Sequence, residues 1–232
     1  MKIAIICAGS VGTAIGAYAA MESHDVVLVD SNPEQIKSLR SCGATVLHSY
    51  PDMDFTTPVS ACLPEELEGK YDFVVLTTKQ TANKDVFPFV KGIFAENGVI
   101  CTLQNGIPEP SVAQALGTER TIGGAVLFGA TLSEPGVTRI TTDYDRFRKY
   151  AFQIGEIDKP CSERIEKVSK ILRSLGGVTL TDKLMDVKWT KLLINCTRSG
   201  MSAALNCTFG EVSNNPKSLI CALFLAKECI EV

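Results

Sequence analysis

Three polar side chains near the end of the chain have the spacing and chemistry of a proton-transfer site. Lys191, Asn195 and Ser199 follow one another at four-residue intervals, so a helix would carry them as one polar stripe among apolar neighbours. Partial burial lowers the pKa of a lysine toward neutrality, which makes its ammonium group a useful proton donor to a forming alkoxide. A polar stripe on an apolar helix is equally typical of a solvated face, so the residues alone leave both interpretations open.

A glycine turn at the start of the chain indicates a phosphate site. The residues CAGSVG follow a short apolar run and precede an alanine-rich stretch, so they connect a strand to a helix. Gly9 and Gly12 match the second and third glycines of the dinucleotide-binding fingerprint, with Ser10 and Val11 between them. The N-terminal amides of such a helix can receive a diphosphate. Cys7 occupies the position of the first glycine, and glycine turns between strand and helix also occur for purely structural reasons.

A carboxylate stands at the end of the next apolar run. Asp30 is 18 residues after Gly12 and closes the run VVLVD. A carboxylate at this point accepts hydrogen bonds from an adenosine ribose and repels a 2′-phosphate. The following residues, SNPE, include no Arg or Lys, so NADH is favoured over NADPH as the cofactor. A helix N-cap is the structural alternative for Asp30, and the two roles are compatible.

An α/β framework is needed to bring these residues together. Apolar runs alternate with helical stretches, which predicts a Rossmann-type, mostly parallel sheet covered on both faces and followed by a partial all-α domain. We expect a dinucleotide-binding Rossmann-like domain over residues 1–182 and the start of a helical substrate and dimerisation domain over residues 183–232. The predicted strands are Lys2–Cys7, Val26–Asp30, Asp72–Thr78, Val99–Gln104, Ile122–Phe128, Gly136–Thr141, Tyr150–Gly155 and the short run VTLTD.

Composition argues against several classes of protein. With 232 residues, 45% hydrophobic side chains and a formal net charge of −3, the chain lacks the basic surface of a nucleic-acid-binding protein. Its nine cysteines form no C-x-x-C pair and no metal-ligand spacing, which favours reduced thiols in the cytoplasm and no bound metal. No apolar run reaches the length of a membrane span, and glycines interrupt the opening run that resembles a signal peptide. His24 and His48 lie in early connecting regions and offer no obvious acid catalyst.

Four further motifs, in order along the chain, resemble the ketopantoate reductase family. They are LTTKQT with Lys79, TLQNGIPEP with Asn105, GAVLFGATLSEPGVTRI, and WTKLLINCTRSGMSAALNCTFGEV. The resemblance implies that Lys79 lies beside the cofactor and that Asn105 contacts the nicotinamide and substrate region. It also implies that Lys191 is the proton donor and that Asn195 binds the substrate. Taken alone, Lys79 is also typical of a solvated strand end, and Asn105 followed by glycine of an ordinary tight turn.

The resemblance also implies a reaction. Hydride passes from a reduced nicotinamide, NADH or NADPH, to the keto carbon of a small 2-keto acid, and Lys191 protonates the oxygen as charge develops. In this family the usual substrate is 2-dehydropantoate, which becomes pantoate, a precursor of pantothenate. A homodimer is expected, with a small keto acid rather than nucleic acid or membrane as the partner.

Three departures from the family's pattern bear on this expectation. Cys7 replaces a glycine, Ser199 stands where many relatives have a second asparagine, and Asp30 gives the second strand an acidic rather than a basic end. The shorter Ser199 offers one hydroxyl in place of an amide, so an NAD-linked D-2-hydroxyacid dehydrogenase of the same family is an alternative. The chain is also expected to stop before the helical domain is complete, which leaves a non-catalytic dinucleotide-binding module or an inactive fragment as further alternatives.

Overall fold

The chain divides into two compact units, Met1–Leu184 and Met185–Val232, in a computed structural model that describes residues 1–157 and 159–232. Every strand that the structure describes lies in the first unit, and the described elements of the second are helical. The predicted fold class, a mostly parallel α/β part followed by a helical part, is therefore confirmed. The functions expected for residues 1–182 and 183–232 remain predictions.

A large sheet forms the centre of the first unit. The strands described there are β1 (Lys2–Ile6), β2 (Asp25–Val29), β3 (Ala44–Leu47), β4 (Phe55–Thr57), β5 (Ser60–Cys62), β6 (Tyr71–Leu76), β7 (Phe94–Thr102), β8 (Thr121–Val126), β9 (Ala130–Glu134), β10 (Val137–Ile140), β11 (Phe152–Glu156) and β12 (Val178–Leu180). Eight of them pair in the order β12-β11-β8-β7-β6-β1-β2-β5. Neighbours in this sheet are parallel except β8 and β11, which run antiparallel.

Helices cover both faces of this sheet. Those of the first unit are α1 (Ser10–Met21), α2 (Pro33–Cys42), α3 (Asn83–Ile93), α4 (Glu109–Leu116), α5 (Tyr144–Lys149) and α6 (Glu163–Leu175). Alternate residues of β1 enter two different cores: Ile3 and Ile5 are buried with residues of α1 and α6, whereas Ala4 and Ile6 are buried with residues of α3 and α4. A strand buried on both faces needs a continuous apolar run, which is why the sequence KIAII predicts it well.

One predicted strand lies in a second, four-stranded sheet and not in the large sheet. The expected strand at Gly136–Thr141 exists as β10, but it pairs in the order β4-β3-β10-β9 rather than joining the large sheet. Strand β9 pairs with β10 as an antiparallel hairpin, and its residues Thr131–Glu134 are exposed. An inner strand of a sheet covered on both faces would be buried, so β9 cannot be one. The pairing of β10 with β3 is parallel and joins Val137 to Thr45, far apart in sequence.

His48 lies in the connecting segment directly after β3, as expected, and it is buried. Its Nε2 atom is 2.8 Å from the hydroxyl of Tyr18, and the rings of Phe55, Tyr144 and Phe147 surround it. Burial lowers the pKa of His48, an effect that the nearby carboxylate of Asp54 opposes. The histidine is therefore part of an aromatic core, held in its neutral form.

The second unit contains short helices and one irregular turn. After α7 (Leu184–Ile194) come a π-helical turn at Asn195–Ser199, α8 (Gly200–Leu205), α9 (Phe209–Asn214) and α10 (Pro216–Glu231). The sequence predicted one unbroken helix through the π-helical turn and did not predict α9, which begins at a capping box of Thr208 and Glu211. Helix α10 leaves large apolar side chains exposed, among them Leu223 and Phe224. No helix in the described part of the chain is both long and apolar enough to span a bilayer.

Candidate functional site

The loop between β1 and α1 has the conformation of a dinucleotide-binding turn even though its first glycine is absent. Cys7, at that position, has a φ of 84°, in the left-handed region that favours glycine. Its backbone N–H donates to Val29 and its carbonyl accepts a hydrogen bond from the Thr77 hydroxyl at 2.8 Å. At Gly12 a Cβ atom would lie 2.0 Å from the Cys7 carbonyl oxygen, so only glycine allows helix and strand to approach this closely. The surrounding contacts thus impose the turn on Cys7.

The start of α1 is suited to binding an anion. Its N-cap is Gly9, which has no side chain to cap the helix, and the first turn carries no acidic residue. The amides of Ser10 and Val11 therefore lie at a helix N-terminus with no side-chain cap, where the helix dipole favours negative charge. Ser10 and Val11 are both partly exposed. This part of the predicted cofactor site fits the diphosphate of a dinucleotide.

Asp30 follows β2 at the carboxyl edge of the sheet, as predicted. Its Oδ1 atom accepts a hydrogen bond from the backbone N–H of Asn32 at 2.9 Å. The N-cap of α2 is Asn32, whose side chain accepts from the Glu34 N–H, so the alternative role of Asp30 as an N-cap is wrong. The carboxylate of Asp30 keeps lone pairs for other donors, which fits the hydroxyl groups of a ribose.

A cavity of about 470 Å³ opens where β1, β2 and β6 end. Its lining residues are Ile6, Cys7, Val29, Asp30, Ser31, Pro64, Thr78, Lys79, Ala82, Asp85, Val86 and Phe89. The structure therefore brings Asp30 and Lys79, 49 residues apart in sequence, to one site at the carboxyl edge of a parallel sheet. Burial raises the pKa of the Cys7 thiol, and the charge of Asp30 adds to this effect while that of Lys79 opposes it. Cys7 is thus a neutral thiol beside both charges.

Asn105 lies three residues after the end of β7, and it is exposed. Its carbonyl oxygen accepts a hydrogen bond of 2.6 Å from Gln80 Nε2, and Gly106 beside it has a φ of 77°. The chain therefore bends at residues 105–107, and this bend is tied to the segment that carries Lys79. Whether Asn105 contacts a cofactor or substrate stays a prediction.

Sequence reasoning missed Gln104. Its side chain is 3% exposed, and Nε2 donates to Thr78 Oγ1 at 3.0 Å and to Asn83 Oδ1 at 2.8 Å. These bonds connect the segment after β7 to the segment after β6 and to the first residue of α3. The only signal in the sequence was a long polar side chain closing an apolar strand.

The second unit carries the other predicted site residues. Lys191 lies on α7 and is partly buried, and burial together with the charge of Lys188 lowers its pKa to about 8. The direction agrees with the expectation for a partly buried lysine, but the contribution of Lys188, a lysine that is only 2% exposed, was missed. Asn195 and Ser199 lie in the π-helical turn, with the Ser199 hydroxyl 3.4 Å from Asn195 Oδ1. The regular α-helix expected from four-residue spacing is therefore wrong beyond Ile194, although Asn195 and Ser199 remain neighbours as the spacing predicted.

Comparison with known proteins identifies relatives of the whole chain. Residues 3–155 match the family described as ketopantoate reductase PanE/ApbA, and residues 183–232 match its C-terminal part. The 2-dehydropantoate 2-reductase of Pyrococcus horikoshii is 29% identical over 229 residues, which are 98% of this chain and 72% of that protein. A corresponding protein of Streptococcus pyogenes is 23% identical over 91% of this chain and 67% of its own length.

Solved structures show the same fold. The crystal structure of 2-dehydropantoate 2-reductase from Geobacter metallireducens has a TM-score of 0.85 and 27% identity, and the match covers 100% of this chain and 74% of that chain. A D-mandelate dehydrogenase, solved with NADH and anilino(oxo)acetate, has a TM-score of 0.83 over 96% of this chain and 70% of its own. At 18% identity, the second likeness shows the fold alone.

Proposed function

Because this chain belongs to the ketopantoate reductase PanE/ApbA family of oxidoreductases, we propose that it reduces a 2-keto acid by hydride transfer from a nicotinamide cofactor. The observation that carries the proposal is the cavity at the carboxyl edge of the sheet, where Asp30 and Lys79 lie beside the turn made by Cys7. The bound nicotinamide would supply the hydride, and the chain would supply binding, orientation and a proton.

Binding and orientation are assigned to residues of the first unit. The uncapped amides at the start of α1 would hold the diphosphate, and Asp30 would accept hydrogen bonds from a ribose. The ammonium of Lys79 would attract the anionic cofactor. Asn105, on the turn that Gln80 holds, would orient the nicotinamide and the keto acid.

Proton transfer is assigned to Lys191, and substrate binding to Asn195 and Ser199. A lysine with a pKa of about 8 is still mainly protonated at neutral pH, yet it releases its proton more readily than an ordinary lysine does. It can therefore protonate the oxygen of the keto group as negative charge develops there. The neighbouring amide and hydroxyl of Asn195 and Ser199 offer donors to the polar groups of a keto acid.

NADH is the proposed cofactor, because the Asp30 carboxylate would repel the extra phosphate of NADPH. Steady-state oxidation of NADH and NADPH, followed with 2-dehydropantoate, should give a higher kcat/KM for NADH. The variant Asp30→Asn should narrow the difference between the two cofactors. An Asp30→Asn variant with an unchanged preference would show that this carboxylate does not select the cofactor.

The physiological substrate is proposed to be 2-dehydropantoate, with pantoate as the product. Ser199 in place of an amide favours a second candidate, an NAD-linked D-2-hydroxyacid dehydrogenase that acts on other branched keto acids. Comparing kcat/KM for 2-dehydropantoate with that for 2-ketoisovalerate and phenylglyoxylate separates the two candidates. Binding of NADH without turnover of any keto acid would instead favour a non-catalytic dinucleotide-binding module. The expected homodimer and cytoplasmic location also stay predictions.

A further inference from the structure

The motif GAVLFGATLSEPGVTRI has no role in the function proposed above, yet part of it contacts the phosphate loop, by which we mean residues 7–11, from the end of β1 into the first turn of α1. Its first residues belong to β8, and residues 130–140 form the hairpin of β9 and β10, whose turn is held by α2. The Gly136 N–H donates to Gln35 Oε1 at 2.9 Å, and the Ser38 hydroxyl donates to the Pro135 carbonyl at 2.7 Å. The hairpin is therefore fixed to the helix that follows Asp30.

Gln35 extends this connection to the loop between β1 and α1. Its side chain is 2% exposed, and Nε2 donates to the Ala8 carbonyl at 2.6 Å and lies 3.2 Å from Thr13 Oγ1. The Thr13 hydroxyl also donates to the Ala8 carbonyl, at 2.8 Å. The carbonyl of Ala8 thus accepts two hydrogen bonds from buried side chains, which leaves this peptide group little freedom to rotate.

Thr138 makes a second connection from the hairpin to the phosphate loop, at the first residue of α1. Its side chain is fully buried on β10, and its hydroxyl donates to the Ser10 carbonyl at 2.9 Å. Two carbonyl groups of the phosphate loop, those of Ala8 and Ser10, are consequently held by side chains outside the loop.

Fixing a carbonyl also fixes the amide on the other side of the same peptide bond. In a planar trans peptide the C=O and N–H groups point in opposite directions, so the N–H groups of Gly9 and Val11 must face away from these donors. The Gly9 N–H accordingly lies beside the Cys7 thiol, which lines the cavity. Gln35 and Thr138 thus hold the two carbonyl groups whose peptide bonds carry the N–H groups of Gly9 and Val11.

We propose that Gln35 and Thr138 are positioning residues for the dinucleotide: they hold the phosphate loop in the conformation that presents its amides to the diphosphate. The proposal rests on the proposed function only in requiring that the cavity binds a dinucleotide. It gives the β9–β10 hairpin a part in cofactor affinity, although the hairpin itself belongs to the second sheet.

The test measures the Kd for NADH, by fluorescence, in variants that differ by one buried hydroxyl. Thr138→Val keeps the shape of the side chain and removes the donor, so the Kd should rise about fivefold to tenfold. Thr138→Ser restores the hydroxyl and should bind NADH within about twofold of the unsubstituted chain. Thr131→Val, an exposed threonine on β9, is the matched control and should leave the Kd unchanged.

Steady-state kinetics distinguish a role of Thr138 in positioning the cofactor site from a purely structural role. With Thr138→Val the KM for NADH should rise while kcat at saturating NADH and the KM for the keto acid stay constant. A folded Thr138→Val variant with the same Kd as Thr131→Val, or a Thr138→Ser variant without recovery, would overturn the inference. If Thr138→Val does not fold, the Kd for NADH is measured in Gln35→Met instead. An unchanged Kd in that variant would also overturn the inference.

The outcomes also distinguish this inference from the proposed function. An unsubstituted chain that binds NADH but turns over no keto acid would refute the reductase activity and leave the Kd comparison valid. A chain that binds neither NADH nor NADPH would refute both proposals.

Discussion

The pH dependence of catalysis gives a direct test of Lys191 as the proton donor. Its pKa is lowered to about 8, chiefly by burial and also by the charge of Lys188. A donor must be protonated to act, and about nine tenths of the molecules carry that proton at pH 7, about half at pH 8 and about one tenth at pH 9. We therefore expect kcat/KM for keto acid reduction to fall about tenfold between pH 7 and pH 9.

An ordinary lysine would behave differently over this range. With a pKa near 10.5, about 97% of the molecules would still be protonated at pH 9, and kcat/KM would hardly change. The Lys191→Arg variant provides the corresponding control, because a guanidinium group stays charged throughout. Its activity should be low and should show no decline near pH 8. Lys183→Gln, which removes an exposed lysine just before α7, should retain the full alkaline decline.

The assay is the initial rate of NADH oxidation at subsaturating keto acid, measured from pH 6 to pH 10 with constant ionic strength. A second measurement does not depend on turnover: acetylation of Lys191 by acetic anhydride, quantified by mass spectrometry, reports the neutral fraction at each pH. An alkaline decline centred near pH 10.5, or a decline near pH 8 that persists in Lys191→Arg, would refute the assignment.

Two further predictions concern stability. Cys7→Gly removes a Cβ from left-handed backbone, and this should raise the free energy of unfolding by about 0.5–1 kcal/mol, after the greater flexibility of glycine in the unfolded chain is deducted. Urea denaturation measures this free energy. An equal gain in Cys7→Ala would show that backbone strain is not the cause. Burial holds the pKa of His48 below its usual 6.5, so below that pH the unfolded chain binds a proton that the folded chain does not. Stability should therefore fall as the pH drops from about 7 to 5, less steeply in His48→Gln, and equal slopes in the two proteins would contradict the reasoning.

The central part of the fold could be predicted from the sequence because its signals are local. The strand β1, the glycine turn and the helix α1 follow one another within Lys2–Met21, and each has its own pattern of apolar or small residues. The second sheet could not be predicted in this way. Its parallel pair joins Thr45 to Val137, and nothing near either residue specifies a partner so distant in sequence.

The residues of the candidate site likewise include some that local sequence patterns predict and others that they do not. Asp30 and Lys79 could be assigned to one edge because both follow apolar strands, and parallel strands end together. Gln104 and Lys188 could not, since their importance comes from burial and from neighbours that only the folded chain provides. The π-helical turn at Asn195–Ser199 was also missed, because four-residue spacing gives the same sequence pattern in a regular helix.

The left-handed backbone at Cys7 has a consequence for how such chains are recognised. A motif search that demands three glycines would pass over this protein, although the bend those glycines normally permit is present. Here the bend is specified by residues distant in sequence, Val29 and Thr77, which clamp the peptide groups on either side of the cysteine. Searches for nucleotide-binding folds would therefore find more such chains if they scored these hydrogen bonds to the turn as well as the glycines.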